Sequence, residues 1–229
     1  MLPIIRIGSV IIPMYTLMVT MALLWIFIYV LSRRKETGLS VFRCVIFTLC
    51  CAVTGLAETM MMTVFGNGNV FGAVILTPLV MPVFGKLLGL RAFQTRDMCA
   101  VGLAIDISFT KLGCFFAGCC QGIVLYVGSS YFQWPAQIIG CLAGFCIVIL
   151  LLRIEARGKW QGVRYPLFML LYGIIRLILD SFEYMPDRWF GLCHGQCYGI
   201  VSAIIGAVWL IVHKRELKKQ KRVPKILSV

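Results

Sequence analysis

The sequence predicts an all-α, polytopic membrane protein with about seven transmembrane helices, and composition and the length of the apolar stretches are the main reasons. Hydrophobic residues make up 60% of the 229 residues and charged residues only 14%, whereas soluble domains carry about 25% charged residues. Stretches of about 20 apolar residues, each able to cross ~30 Å of hydrocarbon as a helix, recur at Ile12–Leu31, Val41–Phe65, Val70–Leu88, Met98–Cys119, Gln133–Leu152, Tyr165–Phe182 and Leu192–Val212.

Short loops join these stretches, so we interpret residues 1–229 as a single integral membrane domain. Residues 1–11 form an amphipathic lead-in on the outer side, and residues 213–229 form a basic cytoplasmic tail. Pro78 and Pro82 interrupt the third stretch and are expected to kink it, because proline removes a helical hydrogen bond.

The placement of lysine and arginine predicts the orientation. If the N-terminus lies outside, 18 of the 22 basic residues fall on the cytoplasmic side, as the positive-inside rule requires. The net charge of +13 therefore indicates membrane topology and attraction to anionic lipid, not nucleic acid. We expect a multi-pass protein of the bacterial cytoplasmic (inner) membrane with its C-terminus inside.

Ionisable residues within the predicted spans are candidates for function, because charge is costly in hydrocarbon. They are Glu58 in the second span, Asp106 and Lys111 in the fourth, and Arg176 and Asp180 in the sixth. Lys111 and Arg176 each lie roughly 12 Å below the outer surface at ~1.5 Å per residue. We expect a shared polar cavity open to the outside, in which this basic pair holds a phosphate.

A run of small residues follows Lys111 and carries a family resemblance. Residues 113–122 read Gly-Cys-Phe-Phe-Ala-Gly-Cys-Cys-Gln-Gly, a spacing that permits close helix approach. This run resembles the divergent signature Gly-Cys-Phe-x-x-Gly-Cys-Cys-x-Gly of the prolipoprotein diacylglyceryl transferase family. Further blocks in family order are similar to its other motifs, at Ile7–Tyr15, Trp134–Gln137, Tyr172–Asp180 and Gly191–Gln196.

The resemblance implies an activity and roles for residues. The diacylglyceryl group of phosphatidylglycerol would move to the lipobox cysteine in the signal peptide of a preprolipoprotein, without cofactor or metal. Lys111, Arg176 and Asp180 would form the catalytic set, with Asp180 orienting Arg176. The expected substrate-binding residues are Glu58, Gly113, Cys114, Gly118, Gln137, Gln196 and His194, of which His194 is the one outer imidazole that could serve as a base.

Several positions depart from the family pattern. Lys111 stands in place of the signature arginine, and Cys119 in place of its glutamate. The family's third-helix His-Gly-Gly has no histidine here, where residues 69–73 read Asn-Val-Phe-Gly-Ala; Gly140 and Asp180 each replace a glutamate. These departures leave open a non-catalytic lipid-binding or transport homologue.

Cysteines suggest a second alternative, a membrane thiol oxidoreductase. The chain has eleven cysteines, of which Cys114, Cys119, Cys120, Cys193 and Cys197 fall toward the outer face. Cys119 and Cys120, with Cys193 and Cys197, could form a disulfide, bind a metal or act in redox chemistry, although no set of carboxylates or histidines completes a zinc site. Because the divergent signature itself contains Cys114, Cys119 and Cys120, we favour a structural role for those three.

Overall fold

The computed structural model describes residues 3–64, 70–128, 130–158, 161–183, 188–189 and 191–226. Helices dominate: α1 (Met14–Ser32), α2 (Arg34–Thr37), α3 (Val41–Val64), α4 (Phe71–Leu87), α5 (Ala92–Ala117), α6 (Ala136–Ala156), α7 (Arg164–Leu179) and α8 (His194–Ile226). Three antiparallel hairpins lie between or before them: β1 (Ile4–Ile7) with β2 (Val10–Pro13), β3 (Val124–Val127) with β4 (Ser130–Gln133), and β5 (Arg188–Trp189) with β6 (Leu192–Cys193).

The helical membrane architecture is confirmed. Within the residues that the structure describes, five helices, α1, α3, α5, α6 and α8, are long and apolar enough to cross a membrane. The third and sixth predicted spans correspond to shorter helices, α4 with 17 residues and α7 with 16. Seven crossings and the N-out orientation stay predictions.

The hairpins are the part of the fold that hydropathy does not predict. The expected lead-in is the β1–β2 hairpin, whose turn contains Gly8 at a φ of 61°. Strands of two to four residues are too short to show a sequence period against long apolar helices. Hydropathy also does not predict that the basic tail is helical, since α8 continues beyond the seventh apolar stretch to Ile226.

Side chains replace the two hydrogen bonds that proline removes from α4. A residue at position 78 would donate its N–H to the carbonyl of Val74, and one at position 82 to that of Pro78. In their place, the Tyr165 hydroxyl donates to the Val74 oxygen at 2.9 Å, and Arg96 Nε donates to the Pro78 oxygen at 2.9 Å. The helix therefore runs through both prolines, with α5 and α7 supplying the missing donors.

Helices α7 and α8 pack at very close range through glycine. A Cβ atom on Gly173 would overlap the carbonyl oxygen of Gly199, and one on Gly206 would lie 2.6 Å from the backbone of Pro166 and Leu170. Ser202 also donates to the Met169 carbonyl at 3.0 Å. Small residues let transmembrane helices approach in this way, and the contact fixes Arg176 of α7 beside the start of α8.

A network of ion pairs joins several helices at the ends that lie opposite Arg176. Glu155 of α6 pairs with Arg33, after α1, at 3.0 Å and also with Arg164 of α7. Asp97 of α5 accepts the backbone N–H groups of Gly162 and Arg164 at 2.7 and 3.1 Å. This network ties four helices together at the end that the basic loops share.

Gly173→Ala should separate α7 from α8. The added methyl group has no space, and overpacking of this kind costs about 1–3 kcal/mol, so the apparent Tm in detergent should fall. Gly55→Ala is the matched control, because a Cβ on Gly55 meets no atom within 4 Å and alanine favours the helix. Equal melting temperatures for the two variants would contradict the close α7–α8 contact.

Candidate functional site

One large cavity of about 830 Å³ lies among the helices. At one end its lining is polar, with Lys111, Arg176, Glu183, His194 and Cys120. The rest is mainly apolar and includes Phe47 of α3 and Met98 of α5. The volume is in the range of ligand pockets, about 300–1,000 Å³.

The apolar wall follows one face of α1 for most of its length. Tyr15, Val19, Leu23, Ile26 and Val30 all line the cavity, and the three- and four-residue steps between them are those of one helical face. The span from Tyr15 to Val30 corresponds to roughly 22 Å at ~1.5 Å per residue. The cavity therefore matches an elongated, mostly apolar ligand with one charged end.

Four charged side chains meet at the polar end. Lys111 Nζ lies 3.0 and 3.3 Å from the two carboxylate oxygens of Glu183. Arg176 pairs with Glu183 at 3.5 Å and with Asp180 at 2.9 Å. Arg176, Asp180 and Glu183 are all buried. The carboxylate of Glu183 thus bridges the two predicted phosphate-binding cations, as a bound anion would.

Glu183 is the residue that the sequence analysis missed, since it lies one residue beyond the sixth predicted span. Its position depends on contacts between loops. Gly122 and Glu183 form an isolated antiparallel bridge, the Ile123 N–H donates to the Phe182 carbonyl at 2.9 Å, and the rings of Trp134 and Phe182 stack at 5.1 Å. Its spacing of seven residues from Arg176 would place both on one face of a continuous helix, but α7 ends at Leu179, before Glu183.

Two glycines make room for the charged side chains. A Cβ on Gly140 of α6 would lie 3.3 Å from the Lys111 side chain, so the aliphatic part of the lysine packs against this glycine. A Cβ on Gly195 of α8 would overlap the Asp180 carboxylate and lie 3.0 Å from the Arg176 guanidinium. Gly140 replaces a glutamate of the family pattern, and the lysine occupies the space beside it.

The turn after α5 brings three cysteines together. Gly118 adopts a φ of 77°, and the N–H groups of Gly118 and Cys119 both donate to the Cys114 carbonyl, at 2.9 and 3.2 Å. This left-handed cap folds the chain back over the helix end. As a result, the sulfur atoms of Cys114, Cys119 and Cys120 all lie within 4.8 Å of one another.

The surroundings of the turn are polar. Gln137, a predicted binding residue, donates from Nε2 to the Cys119 carbonyl at 2.9 Å and so holds the turn against α6. Cys120 has a positive φ of 53°, an uncommon conformation for a residue other than glycine. A hydrogen bond from the Cys114 thiol and the nearby Lys111 ammonium lower the pKa of the Cys120 thiol to about 6, against the effect of burial.

The remaining predicted residues fall in different places. His194 and Cys114 line the cavity. Gly113 allows α5 to approach α1, since a Cβ there would lie 3.1 Å from the Tyr15 ring. Glu58 is buried against α4, where Thr77, which does line the cavity, donates to its carboxylate at 2.8 Å.

Gln196 joins α7 to the start of α8 and does not appear in the cavity lining. Its side chain accepts from the Cys193 N–H at 3.0 Å and donates to Ser181 Oγ at 2.9 Å. All eleven cysteines, each within the described residues, are free thiols. Asn69, the first residue of the segment that replaces the family's His-Gly-Gly, lies outside the described residues.

The fold and the site together define a multi-pass membrane protein with an elongated, mainly apolar cavity and a pair of cations at one end. Comparison with known sequences then gives the family: its model, described as prolipoprotein diacylglyceryl transferase, matches residues 3–212. The chain belongs to this family.

Relatives with assigned names agree with this family. A phosphatidylglycerol–prolipoprotein diacylglyceryl transferase 2 of Clostridium perfringens is 25% identical over 170 residues, covering 69% of this chain and 66% of that protein. A phosphatidylglycerol–prolipoprotein diacylglyceryl transferase of Clostridium tetani is 26% identical, over 50% of this chain and 51% of that protein. One of Dehalococcoides mccartyi is 23% identical, over 70% of this chain and 66% of that protein. The matches thus span between half and two thirds of these relatives' own lengths.

Glu183→Gln should leave Lys111 and Arg176 with Asp180 as their remaining carboxylate partner in the cluster. Breaking a buried ion pair costs about 3–5 kcal/mol, so the apparent Tm should fall. Inorganic phosphate should restore part of the loss, because the phosphate supplies the missing negative charge.

Glu36→Gln is the matched control for this experiment. Its carboxylate pairs with Arg33 at 3.0 Å, with its own side chain 65% exposed, and surface pairs contribute about 0–1 kcal/mol. A Glu183→Gln protein that melts like the control, or that phosphate stabilises no more than the control, would contradict the bridging role of Glu183.

Proposed function

We propose that this protein transfers the diacylglyceryl group of phosphatidylglycerol to the lipobox cysteine thiol of preprolipoproteins. The observation that carries the proposal is the shape of the cavity, which is mainly apolar along α1 and has Lys111 and Arg176 at its polar end. Family membership supports the same activity, as do the names of the relatives.

The phosphate of the lipid would take the place of the Glu183 carboxylate. In the free protein, Lys111 and Arg176 are neutralised by Glu183 and Asp180. A phosphate has enough oxygen atoms to bind both cations at once. Arg176 would donate two parallel hydrogen bonds to it, and the Lys111 ammonium would act as a point charge. Glu183, attached to the loop after α7, would move aside, whereas Asp180 would keep Arg176 oriented.

The reaction is the alkylation of a thiolate by a glyceryl carbon, with a phosphate ester as the leaving group. As the carbon–oxygen bond breaks, negative charge develops on the phosphate, and cations already placed there stabilise it. The acceptor thiol must also lose its proton. His194 lines the same cavity and stays the imidazole that could accept it.

The proposed location is the cytoplasmic membrane of a bacterium, with the polar end of the cavity toward the outside. Lys111 lies near the C-terminal end of α5 and His194 at the N-terminal end of α8. The ion pairs of Glu155 with Arg33 and Arg164 lie at the opposite helix ends, with the basic loops. This division supports the orientation that the positive-inside rule predicts.

A non-catalytic lipid-binding homologue is the second candidate, favoured by Lys111 in the place of the signature arginine. Such a protein would bind phosphatidylglycerol in the same cavity without releasing glycerol phosphate. A thiol oxidoreductase would instead form a reducible disulfide among the outer cysteines during turnover.

Arg176→Ala should abolish transfer from labelled phosphatidylglycerol to a lipobox peptide in a reconstituted assay. Each charge-assisted contact contributes about 1.5–3 kcal/mol, which corresponds to roughly 10–150-fold in rate. Lys111→Arg should keep or raise the rate, because the guanidinium retains the charge and can donate two hydrogen bonds to one phosphate. Lys111→Met should lose activity, because it removes the charge.

Arg153→Ala, at the other end of α6, is the control for general loss of positive charge. A wild-type protein that transfers the lipid yet tolerates Arg176→Ala would refute the phosphate-binding assignment. A wild-type protein that binds the lipid without any transfer would favour the lipid-binding homologue.

A further inference from the structure

The three-cysteine turn after α5 has no part in the phosphate chemistry described above, yet it lies at the same end of the same cavity. Cys114 and Cys120 both line the cavity beside Lys111. The three sulfur atoms approach within 4.8 Å of one another without disulfide bonds. In a tetrahedral zinc site with Zn–S bonds of ≈ 2.3 Å, sulfur atoms lie about 3.8 Å apart. Small rotations of these side chains would therefore reach a three-thiolate geometry.

Two further features show that the turn is held in this shape. Cys120 occupies the left-handed region, which costs energy for a residue with a side chain and is typical of functional sites. Gln137 is buried and fixes the Cys119 carbonyl at 2.9 Å. Partners that orient the segment carrying the ligands are typical of metal sites.

We propose that Cys114, Cys119 and Cys120 bind one Zn²⁺ ion, and that the acceptor cysteine thiol of the substrate occupies its fourth position. Three protein ligands with one open position is the arrangement of catalytic zinc sites. Zinc prefers thiolate ligands, and a thiol that coordinates it loses its proton. This role rests on the proposed transfer activity, for which it supplies the nucleophile.

Atoms and charges balance without an oxidant. The acceptor thiol binds zinc as a thiolate and its proton passes to water. The sulfur then attacks the glyceryl carbon of the lipid, the sulfur–carbon bond forms, and the carbon–oxygen bond breaks with its electron pair going to the phosphate oxygen. Glycerol phosphate leaves from Lys111 and Arg176. The product sulfur is a neutral thioether, a much weaker ligand than a thiolate, so it leaves the zinc ion.

Lys111 lies between the proposed zinc site and the proposed phosphate position. Zinc with three thiolates carries one negative charge, and a fourth thiolate makes it two. The Lys111 ammonium faces the same cavity and balances part of this charge, while its other neighbour is the anion-binding position now held by Glu183. Nucleophile and leaving group would thus meet on either side of one lysine.

Metal content of the purified full chain is the first measurement. Elemental mass spectrometry should find about one zinc per chain in the wild type and in Cys146→Ser, whose thiol is exposed on α6 away from the turn. Loss of a residue that only orients a metal ligand lowers metal affinity about 10–100-fold. Because Cys120 is itself a ligand in the proposed site, Cys120→Ser should lower the zinc affinity by more than that. Absence of zinc from the wild type after exposure to Zn²⁺, or equal zinc in Cys120→Ser, would overturn the site.

Cobalt substitution tests the open position without turnover. Co²⁺-loaded protein should show a thiolate-to-metal charge-transfer band, and a lipobox peptide should strengthen it through a fourth thiolate. The same peptide with serine in place of cysteine should leave the band unchanged. A band that responds equally to both peptides would overturn the role of the acceptor thiol as a ligand.

Transfer rates then separate this inference from the proposed function. A free thiol of pKa ~8.5 is only a few per cent thiolate at pH 7, so zinc removal should slow transfer about 30-fold or more. The slowed rate should rise about tenfold per pH unit, whereas that of the zinc-loaded enzyme should vary little between about pH 6 and 8. Full activity without zinc overturns the inference and leaves the proposed function standing. Zinc and peptide binding without transfer in any condition overturns the proposed function and, with it, the role given to the metal.

Discussion

The bridge from Lys111 through Glu183 to Arg176 is the interaction on which the site depends. Two cations in a membrane interior would repel each other and lose their hydration, which is costly. The shared carboxylate of Glu183, with distances of 3.0 and 3.5 Å to the two cations, offsets part of that cost in the absence of ligand. It also keeps both cations aimed at one point, so an arriving phosphate meets a prepared position.

The rest of the fold can be understood as the support for this bridge. Gly173, Gly199 and Gly195 bring α8 against α7 so that Arg176 and Asp180 are buried beneath it. Tyr165 and Arg96 replace the hydrogen bonds lost at the prolines of α4, which lets that helix form a wall of the cavity.

At the opposite helix ends, Asp97 and Glu155 pair with Arg164 and tie α5, α6 and α7 together. The hydrogen bonds to α4 and the ion pairs of Arg164 supply partners for polar groups that hydrocarbon would leave without one.

Hydropathy predicts the helices from the sequence, and intramembrane charge predicts two of the residues in the candidate site. The helices begin within about six residues of the starts of the predicted stretches. At its other end, α8 continues beyond the predicted stretch into the tail. Lys111 and Arg176 are recognisable because charge is rare within spans, and the structure brings them onto one carboxylate. Glu183 escapes the same reasoning because contacts between two loops, not a helix period, carry it into the membrane end of the cavity. The meeting of three cysteines likewise depends on the left-handed turn at Gly118, which their spacing alone does not reveal.

The most direct test of the account is the distance between the lipid phosphate and the Arg176 guanidinium in the complex. Solid-state NMR on protein with ¹⁵N-labelled arginine and natural phosphatidylglycerol can measure nitrogen–phosphorus dipolar coupling, with Arg176→Lys used to assign the signal. The account predicts strong coupling at Arg176, consistent with nitrogen–oxygen contacts of about 2.7–2.9 Å. It also predicts displacement of Glu183 from Lys111. Coupling confined to the arginines at the basic helix ends, with the Glu183 bridge intact, would contradict it.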